Sequence, residues 1–301
     1  MKMTFSYATA VLYIVTIITG GTSWYAAKLQ LTDVSPAISL IYRFGCASGL
    51  LLLIAAISRE KLTYTWRDHL SFASLGACGF AIAFLLIYKA AALITTGLIA
   101  LIYSLVILFN SVNTTLFLRQ STSRTVLVGA LVGLAGIILV FSPEFFNNEW
   151  NWAGFGYAIS ATLAFSFANI SAVQLQRKGI TVLPMTGISM GYGAIFLLSY
   201  ALLTKQTFSF DPSPIYVASL FYLILFPSVI GYTTYFAVVG RLGAERGAYT
   251  MLLVPLVALA ISSVTEGYRP TIWAIVGTMM TLSGNYWVLT TKYQPVTKTN
   301  V

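Results

Sequence analysis

The chain has 301 residues, 58% of them hydrophobic and 8% charged, with a mean hydropathy of +0.83 and a formal net charge of +9. Soluble domains carry about 25% charged residues, and even large ones leave about a quarter of the chain area exposed, so a water-soluble globule is excluded. The basic excess does not point to nucleic acid either, because Lys and Arg stand singly or in pairs between apolar runs instead of clustering on one polar face.

Apolar runs separated by short polar breaks predict ten membrane-spanning helices. The first, 6–27, is full length and reads as a retained anchor, with no A-x-A cleavage site after it. It carries Thr16, Thr19 and Ser23 beside Trp24 on one face. The second, 36–57, opens at Pro36 and holds Arg43, a charged residue well inside a span. Two readings of Arg43 follow: a cationic contact for an anionic substrate group such as a carboxylate, or a helix-positioning arginine that snorkels or bonds backbone carbonyls. The third span, 70–91, follows His69, which lies at a polar junction with Arg67 and Asp68 and reads as a solvated loop residue.

The fourth span, 95–118, places Tyr103, Asn110 and Thr114 on one face, and the fifth, 125–142, spaces Gly129, Gly133 and Gly136 for close helix packing. The sixth, 153–176, aligns Thr162, Ser166 and Asn169, and the seventh spans 184–203. The eighth, 215–240, contains Pro227 and aligns Ser228, Tyr232 and Tyr235. The ninth, 246–265, contains Pro255, and the tenth spans 271–291. Faces of hydroxyls, amides and phenols belong away from lipid, either in interhelical hydrogen bonds or around a wet cavity. The cavity reading selects Trp24, Arg43, Tyr103, Asn110, Asn169, Tyr232 and Tyr235 as substrate contacts, and its phenols suit an apolar or aromatic amphipathic solute.

With the N-terminus in the cytoplasm, twelve of the 17 Lys and Arg residues fall inside: Lys2, Arg59, Lys61, Arg67, Arg119, Arg124, Arg177, Lys178, Arg241, Arg246, Lys292 and Lys298. Lys28, Lys89, Lys205 and Arg269 fall outside, with five of the eight acids. The positive-inside rule therefore puts both termini in the cytoplasm. A repeat at an offset of 148 pairs Pro36 with Pro184, Gly45 with Gly193, Ala100 with Ala248, Gly129 with Gly277 and Gly136 with Gly284. Spans one to five overlay six to ten at that offset. An odd number of helices per unit inverts the second unit, an arrangement common in secondary transporters. The expected fold is an all-α integral membrane protein with two inverted five-helix repeats, residues 1–142 and 143–301.

The chain resembles the ten-helix EamA-type members of the drug/metabolite transporter superfamily. The resemblance rests on Ser35-Pro36 followed by Arg43, on Tyr88-Lys89-Ala90 leading to Thr95-Thr96-Gly97, and on Gly129, Gly133 and Gly136. It continues through Gly240-Arg241-Leu242-Gly243-Ala244-Glu245-Arg246, Pro255, Gly277 and Gly284. It implies a central cavity lined mainly by helices one to four and six to nine, with helices five and ten as scaffold, and the export of metabolites or amino acids. Gly191 stands at the repeat position of Arg43, a departure from strict pairing.

Catalytic signatures are missing from the sequence: it has one histidine, no nucleotide-binding loop, no nucleophile elbow and no buried carboxylate pair. Cys46 and Cys78 lie in apolar runs, so no disulfide framework or cysteine metal site is expected. The sequence thus points to a monomeric, cofactor-free carrier of small amphipathic metabolites, amino acids first, in the inner membrane, with lipid and a small-molecule substrate as partners. Its alternatives are a proton-coupled multidrug exporter and a non-transporting polytopic protein. Every acid lies at or beyond a span end, Glu245 and Glu266 nearest, so the expected drive is the substrate's own gradient, with proton coupling second. Reporter tags at both ends should be protected from external protease in intact cells; finding the two ends on opposite faces would overturn the topology.

Overall fold

The computed structural model describes residues 7–118, 124–140, 142, 151–242 and 250–290, and those residues are helical with short connections. The elements are α1 (Tyr7–Lys28), α2 (Pro36–Ile57), α3 (Trp66–Ala91), α4 (Thr96–Phe117), α5 (Arg124–Val140), α6 (Trp152–Arg177), α7 (Val182–Leu203), α8 (Pro214–Val239), α9 (Thr250–Thr265) and α10 (Ile272–Thr290). Seven of these are long and apolar enough to cross a membrane. The other three carry apolar stretches among the described residues as well, at Leu131–Val140 in α5, Leu253–Thr265 in α9 and Ile272–Gly284 in α10. Glu245, with residues 243–249 generally, lies outside the described residues.

Boundaries move from the sequence expectation for local reasons. α3 begins at Trp66, because Thr65 and Asp68 form a reciprocal capping box that closes its first turn. His69 is therefore helical, half-buried, and its Nδ1 lies 3.0 Å from the Tyr192 hydroxyl. α4 is interrupted by a turn at Ser104 and Leu105, between the helical stretches Thr96–Tyr103 and Val106–Leu118. α3 and α8 each widen into a π-helical segment, Gly76–Ile82 and Ile224–Gly231. These segments begin 148 residues apart. A π segment inside an α-helix marks a local misfit in the ladder and often a functional site.

The packing has the same offset. α5 lies along α10, and α2 along α7. α1 packs on α9 as α6 packs on α4, and α3 packs on α6 as α8 packs on α1. The tightest seam joins α5 and α10. A Cβ on Gly136 would lie 2.5 Å from the Gly277 carbonyl oxygen, one on Gly277 2.4 Å from that of Gly136, and one on Gly284 2.5 Å from that of Gly129. Between them the Thr281 hydroxyl donates to the Gly133 carbonyl at 3.2 Å. Small residues here allow backbone-to-backbone contact, the usual basis of helix association in lipid.

Polar and apolar surfaces are distributed for a hydrocarbon solvent. Large apolar side chains such as Leu131, Ile195, Phe221 and Met279 are exposed on the outside, whereas Arg43, Asn110, Asn169, Ser228 and Thr281 are buried. A continuous apolar exterior of this extent suits lipid, not water. Gly136→Val should lower the apparent melting temperature in detergent by an amount equivalent to about 1–3 kcal/mol, whereas Gly45→Ala, with open space around it, should leave it unchanged; equal stability of the two would overturn the seam's role.

Candidate functional site

A cavity of about 70 Å³ lies beside the second π segment, which contributes Pro227 and Gly231 to its lining. Thr16, Thr19, Ser23 and Trp24 of α1 line it, as expected from their spacing, together with Arg43 of α2, Phe84 of α3 and Tyr103 of α4. Phe165 of α6, Pro227, Tyr232 and Tyr235 of α8 and Val254 of α9 complete the wall. Five of the seven sequence-selected residues thus converge on one cavity. Asn110 and Asn169 are buried but do not line it. Asn169 Nδ2 donates to Asn110 Oδ1 at 3.4 Å, and the Tyr235 hydroxyl donates to Asn169 Oδ1 at 3.3 Å, so the amides orient a wall residue from behind. Beside them Asn113 Nδ2 donates to Ser166 Oγ at 2.8 Å, tying α4 to α6.

The aromatic wall is a connected cluster. Trp24 meets Tyr103 edge-on at 5.1 Å between ring centroids, and Tyr103 packs on Phe165 at 5.2 Å. Phe165 lies 6.1 Å from both Tyr232 and Tyr235, and Tyr232 meets Phe80 at 5.0 Å. Edge-to-face pairs at such separations add about 0.5–1.5 kcal/mol each beyond area burial, which makes the wall stiff. Phe84 and Phe165 escaped the sequence reading because a phenylalanine in an apolar run carries no polar signal.

Arg43 is held by a relay that begins with a proline. Pro227 has no N–H, so the carbonyl of Leu223, four residues earlier, loses its α-helical donor. The Ser228 hydroxyl donates to that carbonyl at 2.8 Å. Its single proton thus committed, Ser228 Oγ accepts from Arg43 Nε at 2.9 Å. The guanidinium carbon lies 5.0 Å from the Phe44 ring centroid and 4.8 Å from that of Phe84, within cation–π range. Arg43 is 1% exposed, and its Nη1 has no hydrogen-bond partner; the same holds for Trp24 Nε1 and the Tyr103 hydroxyl. Neither ion pair among the described residues involves Arg43. Of the two sequence readings, outward snorkelling is ruled out by this burial. The repeat position of Ser228 is Phe80, so the Arg43–Ser228 bond has Gly191 and Phe80 as its counterpart, and the charge belongs to one half alone.

Polar contacts close both ends of the bundle. At one end Glu266, just past α9, takes the Lys28 ammonium at 2.6 Å, the Thr96 amide at 3.1 Å and the Thr96 hydroxyl, joining α1, α4 and α9. Its carboxylate sits at the N-terminus of α4, where the helix dipole favours negative charge. At the other end Lys178 pairs with Asp68 at 2.7 Å, and Thr181 bonds Glu60, fastening the start of α3 and the end of α2 to the loop between α6 and α7. Burial pushes the Glu266 carboxyl up, but its hydrogen bonds from Lys28 and Thr96 outweigh that and hold it below 4.5. A carboxyl whose pKa falls on folding contributes its stability above the unfolded value and loses it as pH drops through the folded one. The melting temperature of the wild type should therefore fall as pH drops below 4.5. Glu266→Gln should start lower at neutral pH and show less of that acid decline; parallel curves would remove Glu266 from the account.

Comparison with known proteins agrees with the geometry. The sequence profile described as "EamA-like transporter family" matches residues 8–142 and again 152–290. Protein PagO of Salmonella typhimurium is 24% identical over 298 residues, 96% of this chain and 95% of its own. An uncharacterized transporter of Archaeoglobus fulgidus is 22% identical over 269 residues, 89% and 94% of the two chains. The uncharacterized transporter YdfC of Bacillus subtilis is 24% identical over 259 residues, 85% and 83%. A solved crystal structure at 15% identity superposes with a TM-score of 0.67 over 93% of this chain and 96% of its own, a likeness of fold.

Proposed function

Because the chain belongs to the EamA-like transporter family and is a multi-pass membrane transporter, we propose that it carries small amphipathic metabolites, amino acids or related compounds, across the inner membrane by alternating access. The observation that carries this reading is the aromatic cavity with a buried cation in its wall. Its contacts would be Trp24, Arg43, Tyr103, Tyr232 and Tyr235, with Asn110 and Asn169 supporting Tyr235.

In this reading α5, α9 and α10 cross the membrane like the seven longer helices, giving ten spans. The halves 1–142 and 143–301 lie inverted about the α5–α10 seam, and both termini face the cytoplasm. The common offset of the π segments and of the helix pairings supports it. A cavity of about 70 Å³ has room for a few water molecules, so a solute the size of an amino acid requires it to widen. Opening toward one side means parting the Lys28–Glu266–Thr96 contacts, and toward the other the Asp68–Lys178 and Glu60–Thr181 contacts. The protein works as a monomer, since the cavity is built within a single chain.

Counterflow in proteoliposomes tests the reading. Vesicles preloaded with unlabelled phenylalanine or a related solute should transiently concentrate the labelled compound, and Trp24→Ala should cut the initial rate by up to about tenfold, the equivalent of one lost aromatic contact pair. Absence of counterflow for every amino acid and related amphipathic solute would overturn it.

A further inference from the structure

Among the cavity-lining residues Arg43 is the sole ionisable cation, and no Asp or Glu stands with them. The described acids are engaged elsewhere or lie at the ends of the bundle: Glu266 with Lys28, Asp68 with Lys178 and Glu60 with Thr181, while Asp33 and Asp211 precede α2 and α8. The Arg43 guanidinium gives the wall a positive charge. Isolated buried charge is unfavourable by several kcal/mol in a low-dielectric interior. Here it is only partly relieved: one N–H has Ser228, two rings face the guanidinium and the buried Tyr88 hydroxyl stands near it, while Nη1 has no hydrogen-bond partner. Two further buried donors on the wall, Trp24 Nε1 and the Tyr103 hydroxyl, are also without acceptors. Three buried donors on the wall thus lack acceptors, while the hydroxyls of Thr19 and Ser23 give their protons to α1 carbonyls and leave neutral oxygens facing the cavity. A carboxylate supplies acceptors alone, and an aromatic or similarly flat body fits the rings; a cation meets like charge.

We propose that the solute carried is an organic monoanion, an aromatic carboxylate seated on Arg43, and that the membrane potential drives it outward without a coupling ion. This rests on the transporter reading above and narrows its substrate class. The charge balance is direct. Loaded, the carboxylate neutralises Arg43; empty, the site carries one positive charge. Each full cycle moves one negative charge out of a cytoplasm held negative, with no proton taken up or released. One elementary charge gains about 2.3 kcal/mol per 100 mV, so about 60 mV corresponds to a tenfold concentration ratio. Voltage acts on the return of the empty, positive site toward the negative face.

Purified protein in liposomes, with potential set by potassium and valinomycin, tests this with three labelled probes: phenylpyruvate as anion, phenylalanine as zwitterion and tyramine as cation. Inside-positive vesicles should accumulate phenylpyruvate about tenfold per 60 mV, a pH gradient at zero potential should not, and tyramine should be excluded. Arg43→Gln should abolish phenylpyruvate flux and Arg43→Lys retain part of it, with both variants eluting as the wild type. Should either fail to fold, the potential dependence of the wild type and a raised KM in Ser228→Ala decide the matter. Phenylalanine flux without phenylpyruvate flux overturns this inference and leaves the transporter reading standing. Accumulation that follows the pH gradient overturns the drive, and undiminished phenylpyruvate flux in folded Arg43→Gln overturns the seat. Failure of all three probes to move overturns both readings.

Discussion

In hydrocarbon there is no water to satisfy a broken backbone hydrogen bond, so every break in a helix must be repaired by the protein itself. The break at Pro227 is the one from which the site grows. The Leu223 carbonyl it releases takes the Ser228 proton, and the oxygen of that hydroxyl is thereby turned toward Arg43. Ser228 joins its own helix to Arg43 through one hydroxyl, donor on one side and acceptor on the other. The charge that defines the cavity is thus anchored by a defect in the helix opposite, and the π segment Ile224–Gly231 is the local geometry that accommodates both.

Rigidity and mobility are divided between different parts of the bundle. The α5–α10 seam has carbonyl oxygens and glycine backbones in mutual contact, with the short side chains of Thr281 and Val140 beside them. The ends are fastened by long side chains instead, Lys28 to Glu266 and Lys178 to Asp68. Ion pairs of this kind can part and reform when water reaches them, and Lys28 and Lys178 are both part-exposed. A stiff spine with releasable ends is what the proposed alternating access requires.

The sequence was informative where polarity conflicts with lipid and silent where it does not. Helix positions could be read because hydrocarbon thickness fixes the length of an apolar run; the α1 stripe from Thr16 to Trp24 could be read because hydroxyls at helical spacing cannot all face lipid. The stripe proved to be on the cavity wall. Asn110 and Asn169 carry the same polar signal, yet they sit one layer back, because periodicity identifies the face of a helix and not its depth from a cavity. Phe84 and Phe165 were invisible for the opposite reason, having no polarity to betray them. His69 looked like a loop residue since the capping role of Thr65 and Asp68 draws the helix start back past it. The convergence of Glu266 with Lys28 and Thr96 depends on residues 238 and 170 positions apart, which no local pattern encodes.

The seam of α5 and α10 has one more property. Gly136 touches Gly277 and Gly277 touches Gly136, while Gly284 touches Gly129, so residue i meets j and the equivalent of j meets the equivalent of i. That reciprocity is the signature of an isologous dimer interface, here occurring inside a single polypeptide. Joining the two partners covalently removes any dependence of assembly on protein concentration. It also frees each copy to diverge, which is how one side can hold an arginine where the other holds Gly191. A true homodimer would have been obliged to place two like charges in the same chamber.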